Sequence, residues 1–238
     1  MIYAGLLLSA IGLVDLIGAT APRRLHAVLW SVVAIIVVAL AVISGAAVGG
    51  VIAAAAAVAW LLVYPPQRPA RAGIWPALVL ALGSGALVAI GGEGAASGVV
   101  TEHWSLVAPF GPVSIDVAIL TIGVGCFLLE SSNKVVRAAL ASENIAPDAA
   151  DPTPTPSVSL RGGRMIGPLE RILVMVLTLA GAYGFIAAVL AAKGIVRFPE
   201  ISHDRAGGSQ AEYFLVGSLV SWSQALAGAL LIWWAYGA

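Results

Sequence analysis

Apolar residues run along this chain in long blocks, broken by short polar or Gly/Pro-rich stretches, with little of the one-faced alternation of soluble helices. A helix crossing the hydrocarbon core needs about 20 apolar residues at 1.5 Å rise each. Seven blocks meet that length approximately: 2–19, 27–44, 48–64, 76–92, 112–130, 169–192 and 213–236. The uncharged run 27–64 is too long for one crossing. The segment Gly45-Ala46-Ala47-Val48-Gly49-Gly50 divides it with a tight hairpin. Pro65-Pro66 ends the third block, because proline disfavours a helical residue before it. Gly167-Pro168-Leu169-Glu170 reads as a helix start, with the candidate pair Glu170 and Arg171 in its first turn. The expected fold class is all-α: an integral membrane helical bundle of about seven transmembrane helices.

Composition sharpens this picture. Charged residues make up only 10% of the 238, hydrophobic residues 60%, and mean hydropathy is +0.99. Soluble domains carry about 25% charged residues, so the bilayer is the expected solvent for most of the chain. Twelve basic and twelve acidic residues cancel, and no Lys/Arg cluster offers a nucleic-acid surface. A single cysteine, Cys126, excludes an intramolecular disulfide and most cysteine-based metal sites.

The positive-inside rule orients the bundle. With the N-terminus outside, nine basic residues fall in cytoplasmic segments: Arg23, Arg24, Arg68, Arg71, Lys134, Arg137, Arg161, Arg164 and Arg171. Lys193, Arg197 and Arg205 fall outside, and loop 93–111 has no Lys or Arg. Seven spans then put the C-terminus in the cytoplasm, in a bacterial cytoplasmic membrane. Residues 141–162, with Asp148-Ala149-Ala150-Asp151-Pro152-Thr153-Pro154-Thr155-Pro156, read as a flexible linker. It separates a five-helix region, 1–140, from a two-helix C-terminal hairpin, 163–238. Trp75, Trp104, Trp222, Trp233 and Trp234 fall near the expected span boundaries, as an aromatic belt would.

Candidate chemistry is sparse. Lys193 and Arg197 are four apart, on one face if the sixth helix continues. With Glu200 and Glu212 they form a candidate polar cluster at the outer face. It reads either as an ion-pair network fixing the hairpin or as a site for an anion or lipid headgroup. His203 and Asp204 add donors nearby, but no helical His spacing supports a metal site. Asp15 and Asp116 sit inside apolar runs. A charge in mid-bilayer costs about 2.5–3.5 kcal/mol even on an insertion scale, so each reads as a protonatable transport site or as an acid paired near an interface. Arg23 or Arg24 would serve Asp15. Small residues, Gly83-Ser84-Gly85, Gly123 with Gly125, and Gly217 four before Ser221, allow close helix packing.

The stretches Gly163-Arg164-Met165-Ile166-Gly167-Pro168-Leu169-Glu170-Arg171, Ala192-Lys193-Gly194-Ile195-Val196-Arg197-Phe198-Pro199-Glu200-Ile201 and Ala211-Glu212-Tyr213-Phe214-Leu215-Val216-Gly217-Ser218-Leu219-Val220-Ser221-Trp222 resemble a family of uncharacterised prokaryotic multi-pass membrane proteins. The resemblance covers residues 163–222. It implies that this C-terminal region is the shared module and assigns no catalytic residue and no cofactor.

The function this reading favours is a non-enzymatic component or accessory of a membrane assembly. Its expected partners are membrane lipids and either a membrane protein or a second copy, and not nucleic acid. The alternative is a small-solute or ion transporter using Asp15 and Asp116. An intramembrane enzyme or an outer-face lipid-headgroup binder comes third. A transporter should bring polar residues from several helices together inside the bundle. The second, third and fourth blocks offer almost none, and no nucleophile–base set or phosphate loop marks an enzyme.

Overall fold

The computed structural model describes residues 1–65, 73–90, 104–108, 111–143, 163–202 and 209–237, with backbone alone at 163–164, 197, 199–202 and 209–210. Among the described residues the fold is all-α apart from one small hairpin. The helices are α1 Ile2–Thr20, α2 His26–Ile43, α3 Ala47–Val63, α4 Trp75–Ile90, α5 Ile115–Ser142, α6 Gly163–Leu179, α7 Tyr183–Ser202 and α8 Ser209–Gly237. Strands β1 Leu106–Ala108 and β2 Gly111–Val113 pair antiparallel ahead of α5, with Leu106 opposite Val113. The Trp104 indole donates to the Val113 carbonyl across this hairpin at 2.7 Å.

α1 is the central helix. Twelve of its nineteen residues are buried, against α2, α3 and α5. Glycine permits this contact: a Cβ on Gly5 would lie 2.7 Å from the Leu120 backbone nitrogen, and one on Gly12 2.5 Å from the Cys126 carbonyl carbon. On the facing helix, a Cβ on Gly123 would lie 2.4 Å from the Gly5 carbonyl oxygen. α1 and α5 thus meet backbone to backbone, as small residues allow in membrane bundles. α2 to α4 form an outer layer with exposed Ile35, Leu62, Leu82 and Ile90. Among the described residues, α1, residues 23–43, α5 and residues 211–237 are long and apolar enough to cross a membrane.

The turns follow from local chemistry. Gly45 adopts φ +73° between α2 and α3, where the Gly-rich segment predicts a turn. Tyr64 ends α3, and its hydroxyl donates to the Gly73 carbonyl at 2.7 Å, holding the start of α4 beneath it. Ser114 caps α5 by accepting from the Val117 amide at 3.3 Å.

Three expectations change here. The block 169–192 is not one helix. It breaks at Ala180-Gly181-Ala182, where Gly181 takes φ +68°, and α7 folds back beside α6. Helix α6 starts at Gly163, so Pro168 lies inside it and Glu170 and Arg171 are not in its first turn. Trp222 lies midway along α8, not at a boundary.

The bundle has two distinct ends. Met1 and Ala4 share a buried cluster with Val117, Ile232 and Ala235. Tyr236 places its hydroxyl 3.1 Å from where a Gly111 Cβ would stand. The start of α1, the start of α5 and the last turns of α8 therefore lie at one end. Towards the other, Gly217 faces Val136 and Leu140.

Candidate functional site

Helix α5 organises the polar interior. Glu130, Asn133, Lys134 and Arg137 stand at i, i+3, i+4 and i+7, so they share one side of the helix. Two groups of charged side chains meet along this side, and a third follows among α6, α7 and α8.

The first joins α1, α3 and α5. Lys134 donates to Asp15 Oδ1 at 2.6 Å, and the Trp60 indole donates to Oδ2 at 2.8 Å. Lys134 also donates to the Tyr64 carbonyl at 3.1 Å, an acceptor left over at the C-terminal end of α3. Asp15 is fully buried and Lys134 nearly so. Trp60 packs against Tyr64 and edge-on to Phe127, which excludes water from one side. The partner of Asp15 is therefore Lys134, 119 residues away, and not Arg23 or Arg24.

The second group surrounds Arg171 of α6, which is 2% exposed. Its Nε donates to the Leu128 carbonyl at 2.8 Å. One terminal nitrogen donates to Ser221 Oγ at 3.2 Å and the other to Asn133 Oδ1 at 2.6 Å and the Leu129 carbonyl at 3.5 Å. Those two carbonyls lie in a π turn, Phe127–Ser131, inside α5. A π turn shifts the helical hydrogen-bond ladder by one residue, and such turns concentrate at functional sites. Asn133 in turn donates to Glu130 Oε2 at 3.2 Å, and Arg137 approaches Glu130 Oε1 at 3.8 Å. One planar guanidinium thus binds α5 to α6 and α8, using the fork geometry that lysine lacks.

The third group joins α6, α7 and α8. Lys193 donates to Glu170 Oε2 at 2.5 Å, and the Trp222 indole donates to Oε1 at 3.0 Å. The Lys193 ammonium also lies 5.2 Å from the Trp222 ring centroid and 5.8 Å from that of Phe214, within cation–π range. Glu170 is nine residues before the end of α6 and Lys193 ten after the start of α7. Each is about 15 Å from the connecting turn by helix rise, which is why folding back brings them together.

The expected outer cluster is placed as follows. Lys193 meets Glu170 and aromatic rings, Glu212 is exposed at the start of α8, and the side chains of Arg197 and Glu200 lie outside the described residues. His203, Asp204 and most of linker 141–162 also lie outside them. Asp116 is buried in the first turn of α5, where the helix dipole favours an acid. It faces the Met1 amino group, whose pKa burial lowers from its ordinary value while Asp116 acts to raise it. Asp116 does not join the α5 groups described above. Among the described residues no group of three His, Cys, Asp or Glu could hold a metal ion.

The residues missed from sequence are Glu130, Asn133 and Lys134. Ending the fifth span at 130 makes Glu130 its last residue and puts Asn133 and Lys134 in a loop. Their 3–4 spacing within Glu130-Ser131-Ser132-Asn133-Lys134-Val135-Val136-Arg137 was the available signal that the helix continues with a polar side. In comparisons with known proteins, no family model, no curated protein and no solved structure matches this chain.

Proposed function

We propose that this chain is a multi-pass protein of a bacterial cytoplasmic membrane that moves protons or small cations along its charged interior, alone or within a larger membrane assembly. One observation carries the reading: two lysine–carboxylate pairs flank Arg171, Asp15–Lys134 buried in the bundle and Glu170–Lys193 part-buried at its edge. Ionisable groups within membrane helices are costly and typically mark ion or proton pathways. Six helices, α1, α3, α5, α6, α7 and α8, contribute to these groups. Such convergence separates a transporter from a packing element. Arginine does not release its proton in proteins, so Arg171 acts as a fixed charge between titratable pairs. A second reading, a non-enzymatic component of a membrane assembly, is favoured by the closure of each lysine onto a partner within the chain, as in a structural clamp.

Flux distinguishes the two. In liposomes with an imposed pH gradient, the unmodified protein is expected to relax the gradient. Glu170→Gln and Asp15→Asn, folded by circular dichroism and gel filtration, are expected to slow this at least about tenfold, since proton relays contribute factors of that order or more. A folded, reconstituted protein that moves neither protons nor cations overturns the transport reading and leaves the assembly role.

The geometry also supports a revised orientation. With α6 and α7 folded back on each other, eight helices bring the start of α1 and the end of α8 to one side. If that side is external, no Lys or Arg falls in an external segment, rather than the nine against three of the seven-span reading. That is the stronger expression of the positive-inside rule. A reporter active only in the cytoplasm is expected to work when inserted at Pro154 and to be silent when fused after Ala238. The opposite pattern, or activity at both positions, overturns it.

A further inference from the structure

A pocket of about 110 Å³ lies between α1, α4, α5 and α8, next to the Arg171 group. Leu8, Leu80, Val124, Phe127, Leu128 and Leu231 supply most of its apolar wall. Among the described residues no charged side chain lines it. Two polar side chains do, Ser84 of α4 and Gln224 of α8. Ser84 is 2% exposed and its hydroxyl has no hydrogen-bond partner among the described residues. Gln224 spends its amide N–H on the Val220 carbonyl at 3.1 Å, while its buried Oε1 accepts nothing. A buried polar atom without a partner is costly. Two of them lining one apolar pocket mark the positions where a ligand's polar atoms belong.

We infer that this pocket binds a neutral, ring-sized molecule carrying a hydroxyl, of the phenol or hydroquinone class. The volume caps the size: at about 110 Å³ the pocket is smaller than the dry apolar cavity of about 150 Å³ that admits benzene, so it takes no more than one small ring. The lining excludes a charge, which would enter without a counter-ion. Gln224 Oε1 can only accept, so the ligand must donate; Ser84 Oγ can donate or accept, so the same oxygen can receive a bond. A ring hydroxyl meets both demands, and a hydrocarbon meets neither. Phe127 and Leu128 also open the π turn that Arg171 holds, so an occupant would touch the backbone of the charged site.

The probe is phenol, with toluene as its hydrocarbon isostere. Binding to the detergent-solubilised full chain is followed by ligand-observed NMR and corrected with empty micelles. The phenol is expected to bind at least about fivefold more tightly than the toluene, the value of one ordinary hydrogen bond. Ser84→Ala and Gln224→Leu should each bring that ratio within about twofold. Ala227→Phe, which fills the pocket, should abolish binding of both compounds while the helix content stays constant. Equal affinities for the two probes, an undiminished ratio in Ser84→Ala, binding that survives Ala227→Phe, or no binding to the folded unmodified protein would each overturn the assignment. A structure showing only a water bridging Ser84 and Gln224 in the presence of saturating phenol would do so as well.

Discussion

Replacing Lys134 with methionine is expected to cost the protein about 3–5 kcal/mol, the range for removing one member of a buried ion pair. Lys134 is the nearest cation to a carboxylate with no exposure to solvent, and it also satisfies the carbonyl that ends α3. Its loss leaves Asp15 with the Trp60 N–H as its described donor and strands the Tyr64 carbonyl. Asp15→Leu should be destabilising for the same reason from the other side. The double variant Asp15→Leu/Lys134→Met should recover much of the loss, because two apolar groups of similar volume can replace a buried pair at little cost. Thermal unfolding in detergent, read as a double-mutant cycle, checks this. Single variants that unfold like the unmodified protein, or strictly additive losses, would show that the pair does not couple α1 to α5.

Most of the fold was readable because a long apolar helix is specified by composition over one length scale. The observed starts and ends of α1 to α4 fall within two residues of the expected blocks. That scale also misled. Residues 169–192 are apolar enough to pass as one helix, and only Gly181, with its positive φ, marks the break. A glycine in an apolar run has no pattern to distinguish a turn from a packing contact. Gly12 and Gly123, in equally apolar surroundings, serve close approach instead.

The candidate site was only half visible. Asp15 stands out as an acid inside an apolar run and Lys193 as a partner of Arg197 on one helical face, and each does lie in an ion pair. Their partners did not follow from sequence. Lys134 is 119 positions from Asp15, and Glu170 is 23 from Lys193 across a turn that was not foreseen. Short-range pairing within the 193–212 stretch was the natural expectation from sequence distance. Folding α7 back onto α6 takes Lys193 to Glu170 instead. The π turn was invisible, since no residue type in Phe127-Leu128-Leu129-Glu130-Ser131 demands one. It is a tertiary feature, matched to a guanidinium from another helix.

That match makes Arg171 the second position where a single change should have a large effect. The expected loss for Arg171→Ala is several kcal/mol. The change leaves the Leu128 and Leu129 carbonyls without their guanidinium donor, and also Asn133 Oδ1, all in the interior. Hydrogen bonds to charged groups are worth about 1.5–3 kcal/mol each. Arg171→Lys is the sharper test. It keeps the positive charge near Glu130 and Glu170, yet one ammonium cannot span carbonyls of α5, the amide of Asn133 and the hydroxyl of Ser221 at once. If the fork holds the π turn, Arg171→Lys should retain less than half of the stability difference between arginine and alanine. Ser221→Ala, which removes one neutral acceptor at 3.2 Å, should cost about 1 kcal/mol. Arg137→Ala supplies the control: its side chain is 64% exposed and sits 3.8 Å from Glu130, so its loss should stay within about 0.5 kcal/mol. Unfolding midpoints for the four variants in one detergent decide the matter. A lysine as good as arginine would mean that charge alone is needed at this position. The π turn would then be held by α5 itself rather than by the side chain of α6.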